Sequence, residues 1–572
     1  MNAERLLLHY ERIADTPDAI ARLRRFILDL AVRGKLVPQD ASDEPASDLL
    51  KRIAKEKARL AKAGDIRKPP TLEPITDAEA LYVLPRTWAW VRVGDIFDYD
   101  AGTKRDPKEL DQSRWLLELE DIEKDTSRII ERLRVSDRDS QSTKSEFEPG
   151  DILYGKLRPY LNKVVVADEP GYSTTEIVAI RPLLRLCPEY CALAFRRPDF
   201  VAYVERLGRG TKMPRLRTPD AIVAPFPLPP LAEQRRIVAK VDQLMGLCDR
   251  LEAARAGREA VRDRLTAASL ARLNAPNPET FEADARFALD ALPALTTRPD
   301  QIKRLRQTIL NLAVRGKLVP QDAGDEPASE LLKRIAKEIA AYGKANRIGQ
   351  AQADPISDDD LAFAAPSSWE WARLSALFKV ITDGDHQPPP KADKGVAFLT
   401  IGNVTTGRLD FTGCRLVPEA YFKSLAPYRT PAKGDILYTV VGATYGRPAL
   451  VETDRAFCVQ RHIAILKPVE AMSVRFLMAL LASPLVYDQA TRSTTGTAQP
   501  TIALRPLRNF LAPIPPLAEQ YRIVAKVDVL MALCDRLEAS LTANAATRRR
   551  LLDALLAEAL APAGERELEA AE

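Results

Sequence analysis

The chain is written twice. Residues 31–56, AVRGKLVPQDASDEPASDLLKRIAKE, return at 313–338 with two of 26 positions changed. Residues 229–253, PPLAEQRRIVAKVDQLMGLCDRLEA, return at 515–539 with three of 25 changed. The copies lie 282 and 286 residues apart, against a half-length of 286 in a chain of 572. Such a repeat fixes the architecture as two like halves before any local pattern is considered. Between the repeated blocks the halves part company. Each intervening segment opens on two tryptophans, Trp88 and Trp90 or Trp369 and Trp371, and each later carries Gly-Asp-Ile-Leu-Tyr, at 150–154 and 434–438. Otherwise the segments align poorly, although their lengths of 138 and 143 residues nearly match. Two near-identical scaffolds with dissimilar inserts of one size suit one mechanical job done on two different targets.

The scaffold reads as helical. Ile237, Val241, Leu244, Cys248 and Leu251 step by four and three, as do Ile523, Val527, Leu530, Cys534 and Leu537, the spacing of a coiled-coil seam. Pro229-Pro230 and Pro515-Pro516 stand where a helix start tolerates a missing N–H. The spacing predicts a helix from Leu231 to about Leu273, roughly 60 Å long at ~1.5 Å per residue. The other block predicts a helix ending at Gly34, or Gly316, with that glycine just past the end, then a second amphipathic helix around 46–62 and 328–342. Pro- and Ala-rich connectors follow at about 63–76, 274–300 and 343–366. The inserts read as α/β, with strands expected at 151–154, 163–166, 177–180, 435–441 and 462–466. The expected divisions are a helical region 1–84, a first globular domain 85–228, a central helical region 229–365, a second globular domain 366–514 and a terminal helix 515–572. Two long heptad helices in a duplicated chain most simply pair antiparallel, joining two α/β (α+β) domains with pseudo-two-fold symmetry.

Composition excludes several classes. Hydrophobic residues at 46% and charged residues at 28% describe a globular protein and not a disordered one. No run approaches the ~18 apolar residues of a membrane span, and Met1 to Arg5 lack the basic-then-apolar pattern of a secretory leader, so the expected location is cytoplasmic. Six cysteines cannot staple a chain of this size, and Cys187 with Cys191 reads as two buried thiols. Three histidines, His9, His386 and His462, leave little for acid–base or metal chemistry, so neither a catalytic residue nor a metal ligand is assigned. Asp383-Gly384-Asp385-His386 has no counterpart in the first insert and reads as a polar contact loop. Phosphate-loop and dinucleotide fingerprints are missing, as is the Pro-Pro-aromatic sequence of an amino-methyltransferase.

Charge is where the inserts speak. Residues 153–220 hold 12 Lys/Arg against 7 Asp/Glu, and 372–514 hold 17 against 10. Arg206, Arg209, Lys212, Arg215 and Arg217 face one acid, Glu205, in a run broken by Gly208, Gly210 and Pro214, which makes a basic loop. Such loops suit phosphate neutralisation and guanine reading. GKLRPYLNK at 155–163 sets three cations beside a strand end, where the second insert reads TVVGATYGR at 439–447. Ser493 to Gln499 is a further polar loop. The candidates for nucleic-acid contact are Lys156, Arg158, Tyr160, Lys163, Arg209, Lys212, Arg215 and Arg217 in the first insert, and Thr439, Tyr445, Arg447, Arg461 and Thr497 in the second. A helical adaptor that never touches DNA, and a nuclease or methyltransferase with cryptic motifs, stand as the alternatives.

The ordered set of motifs resembles the specificity (S) subunit of type I restriction–modification enzymes. It comprises LAVRGKLVPQ at 30–39 and again at 312–321, Pro-x-x-Trp-x-Trp at 85–90 and 366–371, the GDILYGKLRPYLNKV stretch, and the two PPLAEQ-x-RIVAKVD helix starts. The resemblance covers nearly the whole chain. It implies two target-recognition domains held apart by paired antiparallel helices, each reading one half of a split, asymmetric site in double-stranded DNA. It further implies two methyltransferase (M) subunits carrying S-adenosylmethionine, motor-nuclease (R) subunits using ATP and magnesium, and no cofactor or catalysis in this chain. Arg33, Lys35, Arg315 and Lys317, in the repeated block, would serve something needed twice, either M-subunit docking or helix-end capping.

Overall fold

The computed structural model describes residue 16 and residues 18–560, except 69, 140, 208–212, 350–353, 385–388, 405–406 and 497–498. The chain forms two compact units, Met1–Arg258 with Ala545–Glu572, and Glu259–Asn544. Two 44-residue helices, Leu231–Asn274 and Leu517–Leu560, each begin in one unit and end in the other, so two sheet-bearing domains are joined by helices. Among the described residues no helix is long and apolar enough to cross a membrane.

Each unit repeats one helical frame. A lead helix, Ala19–Val32 or Pro299–Val314, is followed by a second, Ala46–Ala63 or Ala328–Asn346. Gly34 and Gly316 stand just past the lead helices with φ of +66° and +65°, and the next amide closes the turn, Lys35 N donating to Leu30 O and Lys317 N to Leu312 O, both at 3.0 Å. The glycine answers to packing as well. A Cβ at Gly34 would meet Pro85 Cγ at 2.4 Å, and one at Gly316 would meet Pro366 Cγ at 2.6 Å. The connector expected at 274–300 holds two helices, Phe281–Asp290 and Leu292–Leu295, whose Phe281, Ala285 and Ala288 cover Leu270 and Leu273.

The four-three stripe is spent on the unit that holds the helix start. Ile237, Val241 and Cys248 are buried in one core with Leu28, Ala31 and Val32 of the lead helix and with Tyr190 and Cys191 of the first insert. Ile523, Val527 and Cys534 do the same with Leu310, Ala313, Val314, Leu477 and Leu480. These positions therefore dock each long helix onto the insert domain of its own unit. The lead helix of the first unit also covers the end of the second long helix, Ala19, Phe26 and Leu30 packing on Leu552, Leu555 and Leu556.

The inserts share a topology that their sequences hide. In the first, β1 (Ala89–Arg92) and β11 (Pro225–Leu228) pair antiparallel, Ala89 opposite Leu228, so the domain opens and closes at one place. A four-stranded sheet runs β2 (Phe97–Tyr99), β10 (Ile177–Pro182), β7 (Ile152–Gly155), β8 (Val164–Val166). A five-stranded sheet runs β3 (Lys104–Arg105), β6 (Lys144–Phe147), β9 (Gly171–Thr174), β4 (Trp115–Leu117), β5 (Leu133–Arg134). In the second insert β12 (Glu370–Arg373) pairs with β20 (Leu511–Ile514) in the same way. Its four-stranded sheet runs β13 (Phe378–Asp383), β19 (Ile463–Pro468), β16 (Ile436–Thr439), β17 (Pro448–Leu450). A three-stranded sheet runs β15 (Arg415–Val417), β14 (Val396–Leu399), β18 (Phe457–Val459). The four-stranded sheets correspond strand for strand, and β5, β4 and β9 correspond to β15, β14 and β18, with β3 and β6 extra in the first domain. Among the described residues each domain has a single parallel pair, β4 with β9 and β14 with β18.

The shared Ile-Leu-Tyr of β7 and β16 is buried on both faces. Ile152 and Tyr154 feed the core beneath the helices, while Leu153 feeds a second core between the sheets; Ile436, Tyr438 and Leu437 divide in the same way. A strand covered on both faces reads as an unbroken apolar run, which is why this motif survives in two otherwise unlike sequences.

Candidate nucleic-acid interface

Three duplicated motifs meet at one junction in each unit. Glu233, from PPLAEQ, is buried and accepts from Trp88 Nε1 at 2.9 Å and from Gln39 Nε2 at 2.6 Å. Glu519 accepts from Trp369 Nε1 at 2.9 Å and from Gln321 Nε2 at 2.7 Å. Burial pushes both carboxyls above the ordinary range, partly offset by these hydrogen bonds. Gln234 and Gln520 each take a backbone N–H from the insert, Cys187 N at 3.0 Å and Ser473 N at 3.1 Å. Arg236 pairs with Asp43 at 2.5 Å, and Arg522 with Asp325 at 2.6 Å. The network ties the turn between the two frame helices, the opening tryptophan of the insert and the start of the long helix together, so each domain is anchored on its frame.

Above that junction the two domains carry the same nine-residue loop backbone. It leaves β7 as residues 155–163 and β16 as residues 439–447. Gly155 N donates to Lys163 O at 2.9 Å, as Thr439 N does to Arg447 O at 3.1 Å. Leu161 N closes on Arg158 O at 2.9 Å, as Tyr445 N does on Gly442 O at 3.2 Å. Two positions in each loop adopt positive φ, Arg158 (+49°) and Asn162 (+53°) in the first, Gly442 (+82°) and Gly446 (+83°) in the second. Each loop is bridged to a distant segment. Arg158 N donates to Pro214 O at 2.8 Å and Leu216 N to Lys156 O at 3.0 Å; Gly442 N donates to Pro500 O at 2.9 Å and Ile502 N to Val440 O at 2.8 Å. The segment around Arg215 and the segment Pro500–Ile502, which follows the polar run of the second insert, are thus fixed beside the two strand-end loops.

The side chains on this common backbone differ. Arg158 and Tyr160 are exposed and Lys156 is half-buried, and neither Lys156 nor Arg158 has an ion-pair partner among the described residues. Lys163 is turned inward: its ammonium donates to Leu119 O at 2.6 Å, and burial lowers its pKa, so it braces the loop. Arg215 makes a two-point contact with Glu176, at 3.0 and 2.9 Å, and Arg217 pairs with Asp220 at 2.8 Å. In the second domain Thr439 is fully buried, its hydroxyl donating to Thr444 O at 2.6 Å and accepting from Arg447 N at 3.1 Å, so it holds the loop and offers nothing outward. Tyr445 stacks on Tyr487 with ring centroids 5.5 Å apart and planes 4° from parallel, and its hydroxyl lies 3.0 Å from Thr491 Oγ1. Arg447 and Arg461 are exposed, with Arg461 Nε 3.4 Å from His462 Nε2. Arg209, Lys212 and Thr497 lie outside the described residues, as do Asp385 and His386.

Sequence reading missed Tyr487, a large aromatic residue, 46% exposed, on the helix Pro484–Arg492. An aromatic set among the polar positions of a short amphipathic helix was the available signal. Of the repeated-block cations, Arg33 lies over the Tyr82 ring at 4.5 Å and Arg315 over Phe363 at 4.3 Å, beside Asp29 and Asn311 respectively. The arginines therefore help close the helix ends, while Lys35 is exposed and donates to Leu560 O at 2.8 Å and Lys317 is half-buried. Cys191 is buried and Cys187 half-buried, and burial raises both thiols; no group of three or more His, Cys, Asp or Glu placed to hold a metal occurs among the described residues.

Residues 366–545 match a family model described as type I restriction modification DNA specificity domain. The chain is 32% identical to the type I restriction enzyme EcoAI specificity subunit of Escherichia coli, over 94% of this chain and 93% of that protein. It is 31% identical to the EcoEI specificity subunit of the same organism, over 95% and 94%. A solved structure from work on complex assembly and conformational transition of the type I R-M system matches with a TM-score of 0.52 at 22% identity, covering 84% of this chain and 99% of that one, a likeness of fold. Similar to such relatives along nearly the whole of both chains, the chain belongs to the family of type I restriction enzyme specificity subunits.

Proposed function

We propose that this chain is the DNA sequence-recognition subunit of a type I restriction–modification complex, its two domains reading the two unlike halves of a split site. The observation that carries this is the common loop backbone at 155–163 and 439–447 dressed with different side chains. One docking geometry with two chemistries is what two different half-sites require, since phosphate contacts set position and base contacts specify. Lys156, Arg158, Tyr160, Arg215 and Arg217 would face DNA in the first domain, with Arg215 and Arg217 exchanging their acid partners for phosphate. Tyr445, Arg447 and Arg461 would do so in the second. Arg209, Lys212 and Thr497 remain candidates by sequence position.

The chain itself would perform no chemistry. Two methyltransferase subunits would dock on the repeated frame, with Lys35 and Lys317 the cations best placed to take part, and would bring S-adenosylmethionine; motor-nuclease subunits would use ATP and magnesium. The test is sequencing of modified bases in DNA from cells expressing this chain with its methyltransferase. A single split motif with unlike halves is the expected result. Absence of any motif, with the proteins still co-purifying, would leave an assembly adaptor instead.

A further inference from the structure

The two recognition loops differ at one position in a way that the fold does not require. Gly442 has φ of +82°, where glycine is at ease, and a Cβ built there would meet nothing within 4 Å. The equivalent residue of the first domain is Arg158, at φ +49°. A side chain at such a position costs free energy against glycine, and the cost persists only where something else demands the residue. The other left-handed residue of that loop is accounted for locally. Asparagine tolerates this region, and Asn162 Nδ2 donates to Arg196 O at 3.3 Å. Arg158 has no such account: it stands at the start of the short turn Pro159–Leu161 but its side chain makes no capping hydrogen bond, it is exposed, and its guanidinium has no ion-pair partner among the described residues. Its backbone, by contrast, is held at both ends, N–H to Pro214 O at 2.8 Å and carbonyl from Leu161 N at 2.9 Å.

Resting on the reading that these loops meet DNA, we infer that Arg158 is a specificity-determining residue of the first domain, reading a guanine edge in the major groove. A phosphate contact needs only a cation within reach, and Lys156 two residues away, or Arg215 across the bridge, already supplies one without a strained backbone. Base reading needs a planar fork at a fixed place, since the guanidinium must address O6 and N7 together. A rigid, strained and exposed loop tip meets that need. In the second domain Gly442 leaves the corresponding place vacant, so base reading there passes to other side chains of the loop.

The experiment compares the wild-type chain, R158G and R158K, each co-expressed with the methyltransferase subunit, by sequencing modified bases and by thermal unfolding. R158G adopts the residue of the second domain, so it is expected to fold with an unchanged or raised midpoint. It should relax a single base pair in one half of the motif, with discrimination there falling roughly ten- to a hundredfold, and leave the other half unchanged. R158K keeps the charge without the fork and should relax the same position. An unchanged motif in R158G, or a uniform weakening on all sequences with a shallower salt dependence, overturns the inference while the recognition reading stands. Failure of the wild-type chain to give any motif removes the recognition reading, and the inference with it. Should R158G fail to fold, an unrelaxed motif in R158K overturns the inference by itself.

Discussion

The repeated frame and the inserts are conserved between the halves in opposite senses. In the frame, side chains repeat along with their contacts, and the Trp–Glu–Gln junction recurs with hydrogen bonds of 2.9 and 2.6 Å in one unit and 2.9 and 2.7 Å in the other. In the inserts, the order of the four-stranded sheet and the loop closure repeat while nearly every side chain changes. In a buried, fully satisfied polar junction a substitution that leaves a partner unpaired costs the desolvation of that partner. A loop held by its own backbone hydrogen bonds tolerates any side chain that fits its φ. The difference puts the fixed mechanical work at the junction and, on the function proposed above, the selective work at the loop tips.

The largest test of this comparison is Trp88→Ala against Trp369→Ala. Each indole is buried and donates to a buried carboxylate. Each truncation should cost about 3–5 kcal/mol, and the two costs should agree within about 1 kcal/mol. Denaturant titration of the two variants checks this, and a large disparity would show that the frames are alike in sequence but not in load. Next comes Gly34→Ala with Gly316→Ala. Both meet positive φ and a proline ring closer than 3 Å, so each is expected to lose about 2 kcal/mol, read from the same titrations.

A smaller effect, of a different kind, belongs to the loops. Arg447→Ala should leave stability unchanged, since the residue is exposed, yet cost about 1–3 kcal/mol of discrimination at one base of the second half-site. An unaltered motif and affinity would remove Arg447 from the interface.

The frame was legible in the sequence because helices announce themselves locally. The long helix expected from Leu231 to about Leu273 runs Leu231–Asn274, and the glycines expected just past the lead helices stand there with positive φ. The strand positions were legible too, and so was the kinship of residues 155–163 with 439–447. What stayed hidden is non-local. No periodicity reveals that β4 and β9 run parallel as β14 and β18 do, or that Pro85 of one motif sits where a Cβ on Gly34 of another would have to go. Lys163 and Thr439 were assigned outward-facing roles from residue type, and both are internal braces, because which face of a loop a side chain takes depends on neighbours such as Leu119 that lie far away in sequence.

The smallest expected effect is a pH dependence shared equally by the two junctions. Burial raises the carboxyl of Glu233, and that of Glu519, above the ordinary value of 4.5, while hydrogen bonds from tryptophan and glutamine pull it part of the way back. A carboxyl that titrates higher when folded holds its proton longer in the native state than in the unfolded chain. Stability from this source is therefore greatest below pH 4.5 and declines as pH rises through the folded value, after which it is constant. Carboxylates with lowered values, such as Glu79 at about 2 beside Arg92, act in the opposite direction at lower pH, so the signal must be read as a difference. Glutamine at 233 or 519 still accepts from the indole but cannot ionise. It should shift stability by an amount independent of pH while removing that site's share of the decline. E233Q and E519Q should each remove the same share and the double variant the sum, as independent sites in separate units must. Unequal shares would mean that the two frames, alike in every contact around these glutamates, differ in how far water reaches them.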